Sequence, residues 1–421
     1  LYVETWSLGS VPTAGPNTGY DVVVIGGGLA GLSAAVAVAE GSKARVALVE
    51  GRGIGNNNPS PMTFGDVPER FGLVQHIRAR YSRFIFHSPL GERSCHVLDG
   101  QPLVLLDYRG ACRTLLERAE RSGRFTLLER RAVCLHQQSS HWGIGVVSSG
   151  TTSQVEWLMA PLLIDASGHA LWTTHWLGLP KAQRFSHCYG QVLRVKRHIP
   201  VDTAWFLAPS GRFGDGGGWL YPLEESLVSM GYATLSAEST WPGPLLRERF
   251  ALALREFVPY AEWLVGAERE HEEQGSIPLF PPRHLVYDGL VLVGDAARLA
   301  TIWSCMGVEQ ALSSGQLAGQ AVARAHTQGD RSRRTLGAYQ QAWDRLNRDI
   351  YRRGAFLAPA VWGQPDENWN RAIAEVGKLT AGQMVARLRT NRPVLSWGQI
   401  ALIRGYDLAG RARRWLAEMI K

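Results

Sequence analysis

The sequence predicts an α/β fold in which a doubly wound domain is interrupted by an inserted antiparallel sheet and followed by a helical C-terminal region. Three observations predict this class. Residues 22–49 read as strand, glycine-rich turn, small-residue helix and second strand, whereas 172–283 read as long alternating strands. A buried apolar run ending in Gly-Asp returns at 290–295. The predicted divisions are 1–18 as a flexible lead-in, 19–171 and 284–330 as the two parts of the doubly wound domain, 172–283 as the inserted sheet, and 331–421 as the helical region.

The first element carries a turn typical of dinucleotide binding. Gly26, Gly28 and Gly31 have the spacing G-x-G-x-x-G directly after an apolar strand, which suits a tight bend and a close approach to pyrophosphate. The phosphates would lie at the N-terminus of the following helix, where we also expect Ala30 to contact the cofactor. Glu50 ends the second strand and would bind ribose hydroxyls. This stretch predicts a Rossmann-like nucleotide domain but leaves NAD and FAD open.

Hydrophobic periodicity predicts the elements that follow. In the first part these are a helix at 69–80, strands at 83–88, 93–98 and 102–106, a helix at 109–121, and strands at about 124–134, 142–148 and 154–164. In the later part they are strands at 188–195, 203–208 and 226–234, and helices at 245–257 and 307–326.

A second predicted cofactor contact lies more than two hundred residues after the glycine-rich turn, and it indicates that the cofactor is FAD. Gly294 and Asp295 end the returning strand, where the carboxylate can accept a hydrogen bond from a ribityl hydroxyl. The next helix begins near Gly307 and Val308, and its N-terminal N–H groups would face the flavin. A fold that holds FAD extended needs both contacts.

Composition and charge exclude several classes of protein. The net charge is +8, but the basic residues are dispersed, which argues against a nucleic-acid partner. No run of eighteen apolar residues predicts a transmembrane segment. The five cysteines show no C-x-x-C spacing, which favours a reducing compartment and offers no metal site. We therefore expect a soluble, cytoplasmic protein.

Three segments, at 20–50, 161–168 and 288–319, resemble the signatures of one FAD-dependent family. The family includes aromatic hydroxylases, geranylgeranyl reductases, lycopene cyclases and tryptophan halogenases, with the fold of group A flavin monooxygenases. The resemblance implies that Arg109, in the segment Leu-Asp-Tyr-Arg, lies along the FAD. It also places Trp219 and Tyr221, in a segment similar to the W-x-F-P element of the reductases, on the sheet that roofs the substrate cavity.

The expected chemistry depends on groups that each sub-family needs. Halogenases require a lysine after the first βαβ unit, and none lies between Lys43 and Lys181. The reductases carry a cysteine in the loop after the second strand, which residues 51–60 lack. Lycopene cyclases place an acidic segment where residues 228–234 read Val-Ser-Met-Gly-Tyr-Ala-Thr. We therefore expect an FAD-dependent monooxygenase that hydroxylates an aromatic or electron-rich substrate through a flavin C4a-hydroperoxide. A prenyl-reducing flavoprotein is the alternative, ahead of a cyclase, a halogenase or a non-catalytic flavoprotein.

The segment at 299–309 departs from the Pro-x-x-Gly-x-Gly pattern of the family, with Ser304 at the expected place of the first glycine. Trp303 and Cys305 would then lie near the flavin, and Trp303 would also contact substrate. His169 and Glu309 are the candidate acid or base groups.

The sequence shows no second G-x-G-x-x-G turn. Electrons are therefore expected from transiently bound NAD(P)H or from a separate flavin reductase as partner. The substrate is expected to be a small molecule or an aromatic side chain on a peptide.

Overall fold

The computed structural model describes residues 19–56, 60–98, 100, 102–148, 155–257, 260–302 and 304–390. The predicted lead-in and the last part of the predicted helical region lie outside them. The strands, in chain order, are β1 (Val22–Ile25), β2 (Val46–Val49), β3 (Met62–Phe64), β4 (Ile77–Tyr81), β5 (Arg83–His87), β6 (Arg93–Val97), β7 (Leu103–Leu106), β8 (Phe125–Leu128), β9 (Arg130–Gln137), β10 (Trp142–Ser148), β11 (Glu156–Ala160), β12 (Leu162–Asp165), β13 (Arg184–Arg194), β14 (Thr203–Leu207), β15 (Gly217–Glu224), β16 (Leu227–Ser236), β17 (Glu268–Leu279), β18 (Val286–Tyr287) and β19 (Leu290–Leu292). The α-helices are α1 (Leu29–Gly41), α2 (Asp66–Arg70), α3 (Tyr108–Glu120), α4 (Trp172–Trp176), α5 (Gly243–Glu256), α6 (Tyr260–Trp263), α7 (Val308–Gln328), α8 (Arg333–Val361), α9 (Asp366–Val376) and α10 (Ala381–Arg389).

The nucleotide domain is built on a six-stranded sheet in the order β18-β19-β12-β1-β2-β8. Its strands are parallel except for the edge strand β18, which runs antiparallel to β19. The central strands are buried along their whole length, as expected for a parallel sheet that is covered on both faces. The strand that returns after the insertion thus joins β1 through β12. Together with the antiparallel sheet and the helices that follow, this confirms the predicted fold class.

Helices α1 and α7 pack at backbone distance on one face of this sheet. A Cβ atom placed on Gly315 would lie 2.3 Å from the carbonyl oxygen of Ala30, and one on Gly319 would lie 2.4 Å from that of Ala34. Ser33 Oγ also donates a hydrogen bond to the carbonyl oxygen of Leu312, at 2.8 Å. These small residues therefore allow α1, which follows the nucleotide turn, to pack directly on α7, which begins at the second predicted cofactor contact.

The inserted sheet has seven strands, in the order β17-β13-β16-β15-β14-β5-β6. Its pairs are antiparallel except β14 with β5. One face, which we call the outer face, packs on α5 through residues such as Tyr189, Tyr232 and Phe250. The opposite, inner face carries Val192, Tyr221 and neighbours that belong to the core of the nucleotide domain. Two of the strands, β5 and β6, come from residues 83–97, so the sheet is wider than the segment 172–283.

A small sheet in the order β3-β7-β4 lies against the inner face. Tyr81 at the end of β4 donates its hydroxyl to the carbonyl oxygen of Pro222 on β15, at 2.8 Å. The helix predicted over 69–80 is wrong, because α2 ends at Arg70 and is followed by a 3-10 turn at Val74–His76 and by β4. Gly72, with φ of +69°, lies between α2 and this turn, and the exposed and buried residues of β4 alternate.

Strand β17 is the longest of the strands that the sequence analysis missed. Its first half is dense in charge, with the sequence Glu-Arg-Glu-His-Glu-Glu, and most of these side chains are exposed. The strand pairs only with β13 and forms an edge of the sheet, where charged side chains reach water and discourage further pairing.

The helices after α7 complete the described part of the chain. None of the helices there is both long enough and apolar enough to span a lipid bilayer.

Candidate active site

The glycine-rich turn between β1 and α1 leaves no room for side chains. Gly26 has φ of +105°, and a Cβ atom on it would lie 2.3 Å from the carbonyl oxygen of Ala166. A Cβ on Gly31 would lie 2.0 Å from the carbonyl oxygen of Gly26, and one on Gly28 would approach the hydroxyl of Tyr108 to 3.0 Å. Within the described residues no side chain caps α1. Its first N–H groups are therefore available to an anionic ligand such as pyrophosphate.

Glu50, which follows β2, is held in place by two backbone groups. The N–H of Gly27 donates to Oε2 at 2.8 Å, and the N–H of Arg52 donates to Oε1 at 2.6 Å. Each oxygen keeps further acceptor capacity, which a ribose diol can use. Its predicted contact with ribose fits this geometry.

Arg109 lies exposed in the first turn of α3, beside the loop that follows β2. Its Nη2 donates to Oδ1 of Asn56 at 3.3 Å, and Gly55 packs against its backbone. The predicted contact of Arg109 with FAD would therefore form between this loop and α3.

Asp295 lies in the 3-10 turn Gly294–Ala297 that follows β19. Burial raises the pKa of its carboxyl to about 6, and no cation or hydrogen bond from another described residue opposes this rise. A Cβ atom on Gly307 would lie 3.6 Å from Asp295 Oδ1, so the carboxylate faces the N-terminus of α7 where Val308 begins the helix. A carboxylate without a partner, beside an uncapped helix end, fits the ribityl and flavin half of FAD.

The loop between Asp295 and α7 is organised by Thr301. Its Oγ1 accepts a hydrogen bond from the N–H of Met306 at 3.0 Å, and its carbonyl oxygen accepts one from the N–H of Cys305, also at 3.0 Å. Cys305 has φ of +52°, a left-handed conformation that favours glycine. Such a backbone would suit a glycine at this position, one residue after Ser304. Trp303, predicted as a catalytic and substrate-contacting residue, lies outside the described residues.

Cys305 is one of two thiols at this point of the molecule. Burial raises the pKa of Cys305 to about 11 and that of Cys188, on β13, to about 12. The hydroxyl of Ser186 is 3.9 Å from Cys188 Sγ and also interacts with Cys305. The loop of the nucleotide domain therefore meets the inner face of the large sheet here.

The two candidate acid or base groups lie in different surroundings. His169 is exposed in the turn after β12, and desolvation of its ring together with the charges of Arg52 and His187 lowers its pKa.

Glu309 is ion-paired on both oxygens. Its Oε1 is 2.7 Å from a nitrogen of Arg70 and 2.7 Å from one of Arg389. Proton transfer by either residue stays a prediction, but the ion pairs of Glu309 favour a structural role.

Trp219 lies flat on the inner face of the large sheet. Cβ atoms on Gly190 and Gly231 would lie 2.8 and 2.3 Å from its ring, so these glycines make room for the indole. Its Nε1 donates to Ser229 Oγ at 2.9 Å. Tyr221, two residues further along β15, is buried, with its ring centroid 6.2 Å from that of Tyr81. Both predicted substrate-contacting residues thus lie on the face that looks toward the nucleotide domain.

The sequence analysis missed a cavity of about 390 Å³ at the edge of this face. Its walls combine six apolar residues with seven polar or charged ones: Ser60, Pro61, Gln75, His76, Ile77, Arg78, Leu105, Leu106, Asp107, Val192, Leu223, His271 and Glu273. Most of these residues come from strands that were not predicted or from segments far apart in the chain. The sequence indicated only part of this wall, through the apolar residues of β7 and β13.

Comparison with known proteins agrees with this site. Residues 20–137 match the family model described as pyridine nucleotide-disulphide oxidoreductase. The chain is 27% identical over 341 residues to the digeranylgeranylglycerophospholipid reductase of Methanothrix thermoacetophila, covering 77% of this chain and 82% of the relative. These similarities indicate that the chain is an FAD-dependent oxidoreductase. This confirms the predicted cofactor and the family resemblance.

Solved structures share the fold of this oxidoreductase. A geranylgeranyl bacteriochlorophyll reductase-like protein from Thermoplasma acidophilum superposes with a TM-score of 0.77 at 17% identity, covering 92% of this chain and 96% of the other. A p-nitrophenol 4-monooxygenase from Pseudomonas putida superposes with a TM-score of 0.69 at 14% identity, covering 89% and 98%. At these identities the likeness establishes the fold and leaves the reaction open.

Proposed function

We propose that this FAD-dependent oxidoreductase saturates carbon–carbon double bonds in an isoprenoid lipid. The observation that carries the proposal is the similarity over 77% of the chain to a digeranylgeranylglycerophospholipid reductase. The apolar part of the cavity wall, which includes Leu105, Val192 and Leu223, suits a branched alkyl chain. The relatives therefore favour the alternative raised by the sequence over the expected monooxygenase.

The residues of the chain divide between the two halves of the cofactor. The turn at Gly26 and Gly28, with Glu50, would hold the ADP half, whereas Asp295 and the N-terminus of α7 would hold the flavin half. Bound FAD supplies two-electron redox chemistry. The apolar inner face around Tyr221 excludes water from the space in which a substrate would lie. NAD(P)H or a separate flavin reductase would supply the electrons.

The reductases of the family carry a cysteine in the loop after the second strand, and residues 51–60 of this chain contain none. An acid for double-bond reduction would therefore come from another part of the cavity. The buried thiols Cys188 and Cys305 are poor acids at neutral pH because burial raises their pKa values to about 12 and about 11.

The experiment uses the FAD-loaded protein, reduced with dithionite under nitrogen, and digeranylgeranylglycerophospholipid dispersed in detergent. We expect mass spectrometry to show products that gain two hydrogens for each double bond reduced. The apoprotein is the control, since dithionite alone should leave the lipid unchanged. An unchanged lipid with the loaded protein would overturn the proposal.

The monooxygenase remains the second candidate because aromatic side chains are close together on the inner face. The ring centroids of Phe84 and Phe206 are 4.9 Å apart, and those of Phe206 and Tyr221 are 5.8 Å apart. Such a wall also suits an aromatic substrate. The same protein supplied with NADPH, air and a panel of phenols would then incorporate one oxygen atom from O₂ into a phenol, and the lipid would remain unsaturated.

A further inference from the structure

Glu273 on β17 is a buried carboxyl in the wall of the cavity. It is 8% exposed. Its Oε1 accepts a hydrogen bond from Ser60 at 2.6 Å, and its Oε2 accepts one from Ser229 at 2.7 Å. Ser229 is also the acceptor for the indole N–H of Trp219. The carboxyl is thus fixed in orientation by hydroxyl groups, and the described residues provide no ion pair to it.

The register of the sheet places Glu273 near the loop between Asp295 and α7, which is predicted to contact the flavin. Glu273 pairs with Gly190 on β13, Gly190 pairs with Gly231 on β16, and Gly231 pairs with Trp219 on β15. The carboxyl therefore lies in the same row of the inner face as Trp219. Cys188 is two residues from Gly190 on β13, a diagonal neighbour of Glu273 at roughly 7–8 Å between backbones. Cys188 in turn interacts with Cys305 and Asp295.

The surroundings raise the pKa of the Glu273 carboxyl. Burial raises the pKa of Glu273, and the hydrogen bonds from Ser229 and Ser60 offset only part of this effect. His271 and Arg78 lower it further from the exposed side of the cavity. The titratable or charged groups that face Glu273 or line the same cavity are His76, Arg78, Asp107, Tyr221 and His271.

We propose that Glu273 is the acid that donates the proton in double-bond reduction, an inference that rests on the proposed function. The π bond of the substrate breaks, and the Glu273 proton forms a new C–H bond at one carbon. Bound reduced FAD would supply the hydride equivalent for the other carbon, and NAD(P)H or dithionite would reduce the flavin again. The resulting carboxylate regains a proton from water at the cavity mouth beside His271 and Arg78.

The first test detects the acid without turnover. In the infrared spectrum of the purified protein at neutral pH, we expect a protonated-carboxyl C=O band that Glu273→Gln removes. Glu272→Gln is the matched control, because Glu272 is adjacent on β17 but is ion-paired with Arg247 and Arg269. A spectrum unchanged by Glu273→Gln would overturn the proposal.

The second test measures the reaction. Glu273→Gln should lower kcat for the lipid by about 10²- to 10⁴-fold, the range for loss of a general acid, while KM changes little. An active wild-type protein with an equally active Glu273→Gln variant overturns this inference and leaves the proposed function intact. A wild-type protein that does not reduce the lipid overturns both.

A third variant keeps the test decisive if Glu273→Gln does not fold. Ser60→Ala removes a hydroxyl that stabilises the carboxylate. The pH at which half of the protonated-carboxyl band is lost, and the alkaline limb of the pH profile of kcat, should therefore both move to higher pH. The same midpoint and limb in Ser60→Ala and wild type would overturn the proposal.

Discussion

At the scale of the residue, Asp295 shows a conflict between stability and cofactor binding. Its carboxylate faces the start of α7, and the described residues offer it no partner, although burial disfavours the charged form. If Asp295 binds FAD as predicted, a cofactor hydroxyl would supply the missing hydrogen bond. The same carboxylate would then destabilise the apoprotein.

We expect Asp295→Asn to reverse this penalty. The native pKa of about 6 lies above the ordinary value of 3.8, so the native state binds the proton more tightly than the unfolded state. The stability of the apoprotein should then fall as the pH rises from about 4 to about 6, by an amount on the order of 1–3 kcal/mol. Asp295→Asn should lack this decrease and be the more stable apoprotein at neutral pH, while its affinity for FAD is lower.

Urea unfolding of both apoproteins across this pH range, with a fluorescence titration of FAD, measures the two effects. If the free energies of unfolding of wild type and variant changed with pH in parallel, the prediction of an unpaired buried carboxylate at Asp295 would be wrong. Asp330→Asn is a control at an exposed carboxyl whose pKa is lowered by hydrogen bonds from Thr335 and Ser332, so its removal should not produce the same gain at neutral pH.

Cys305 carries a second local cost, since its φ of +52° is unfavourable for any residue with a Cβ atom. Cys305→Gly should be about 1 kcal/mol more stable than Cys305→Ala, because both lose the thiol and only glycine relieves the strain. Thermal unfolding of the two apoproteins compares them directly. Equal melting temperatures would indicate that the loop relaxes away from the left-handed conformation.

The positions of the glycine-rich turn and of Glu50 could be predicted because they depend on local geometry within one βαβ unit, whereas their cofactor contacts stay predictions. Glu273 could not, because its burial depends on Ser60, more than two hundred residues earlier in the chain, and on a sheet that the sequence did not delimit. The assignment of the first family glycine to Ser304 stays a prediction, although the left-handed backbone one residue later, at Cys305, also suits a glycine.

At the scale of the element, the contact between α1 and α7 determines whether the two halves of the cofactor site meet. Gly319→Ala would place a Cβ atom 2.4 Å from a backbone oxygen of α1 and push the helices apart. We expect a loss of several kcal/mol in stability, the upper range for strain in a packed core, and weaker FAD binding. Chemical denaturation and FAD titration measure both.

Gly337→Ala on α8 is the matched control for this substitution. A Cβ atom there meets no other atom within 4 Å, so the change should be neutral or stabilise the helix by up to about 1 kcal/mol. If Gly319→Ala behaved like Gly337→Ala, the close approach of α1 and α7 would not be needed for the fold.

Elements whose pattern agrees with their burial were predicted well, among them β1, α1, β2, α3 and α7. Strand β17 was not predicted, because most of its first half is exposed and charged and shows no apolar face in the sequence. Strand β4 does alternate, with Arg78 and Arg80 exposed between less exposed residues, but it is only five residues long and was included in the helix predicted over 69–80.

At the scale of the whole molecule, an ion-pair network ties the C-terminal helices to the nucleotide domain. Arg389 at the end of α10 lies 2.8 Å from Asp66 of α2 and 2.7 Å from Glu309 of α7. Arg70 joins the same carboxylate of Glu309 at 2.7 Å. The network thus connects the far end of the described chain to the helix that begins at the flavin half of the site.

Arg389→Ala should release α10 with little effect on global stability. The side chain of Arg389 is 31% exposed, so the loss should be about 1 kcal/mol or less. Hydrogen exchange of residues 381–389 should nevertheless accelerate, and high salt should have the same effect on the wild type. Lys378→Ala, which breaks an exposed pair with Glu375, is the control and should leave exchange in α10 unchanged.

The contact between Ser33 and Leu312 joins positions 279 residues apart, and this separation has a consequence for synthesis on the ribosome. The turn that binds pyrophosphate emerges early, but α1 cannot bury its small-residue face until α7 has left the exit tunnel. Most strands of the large sheet are complete before then. We expect the sheet to fold first and the cofactor site to close last, so that FAD binds only to chains whose translation has passed α7.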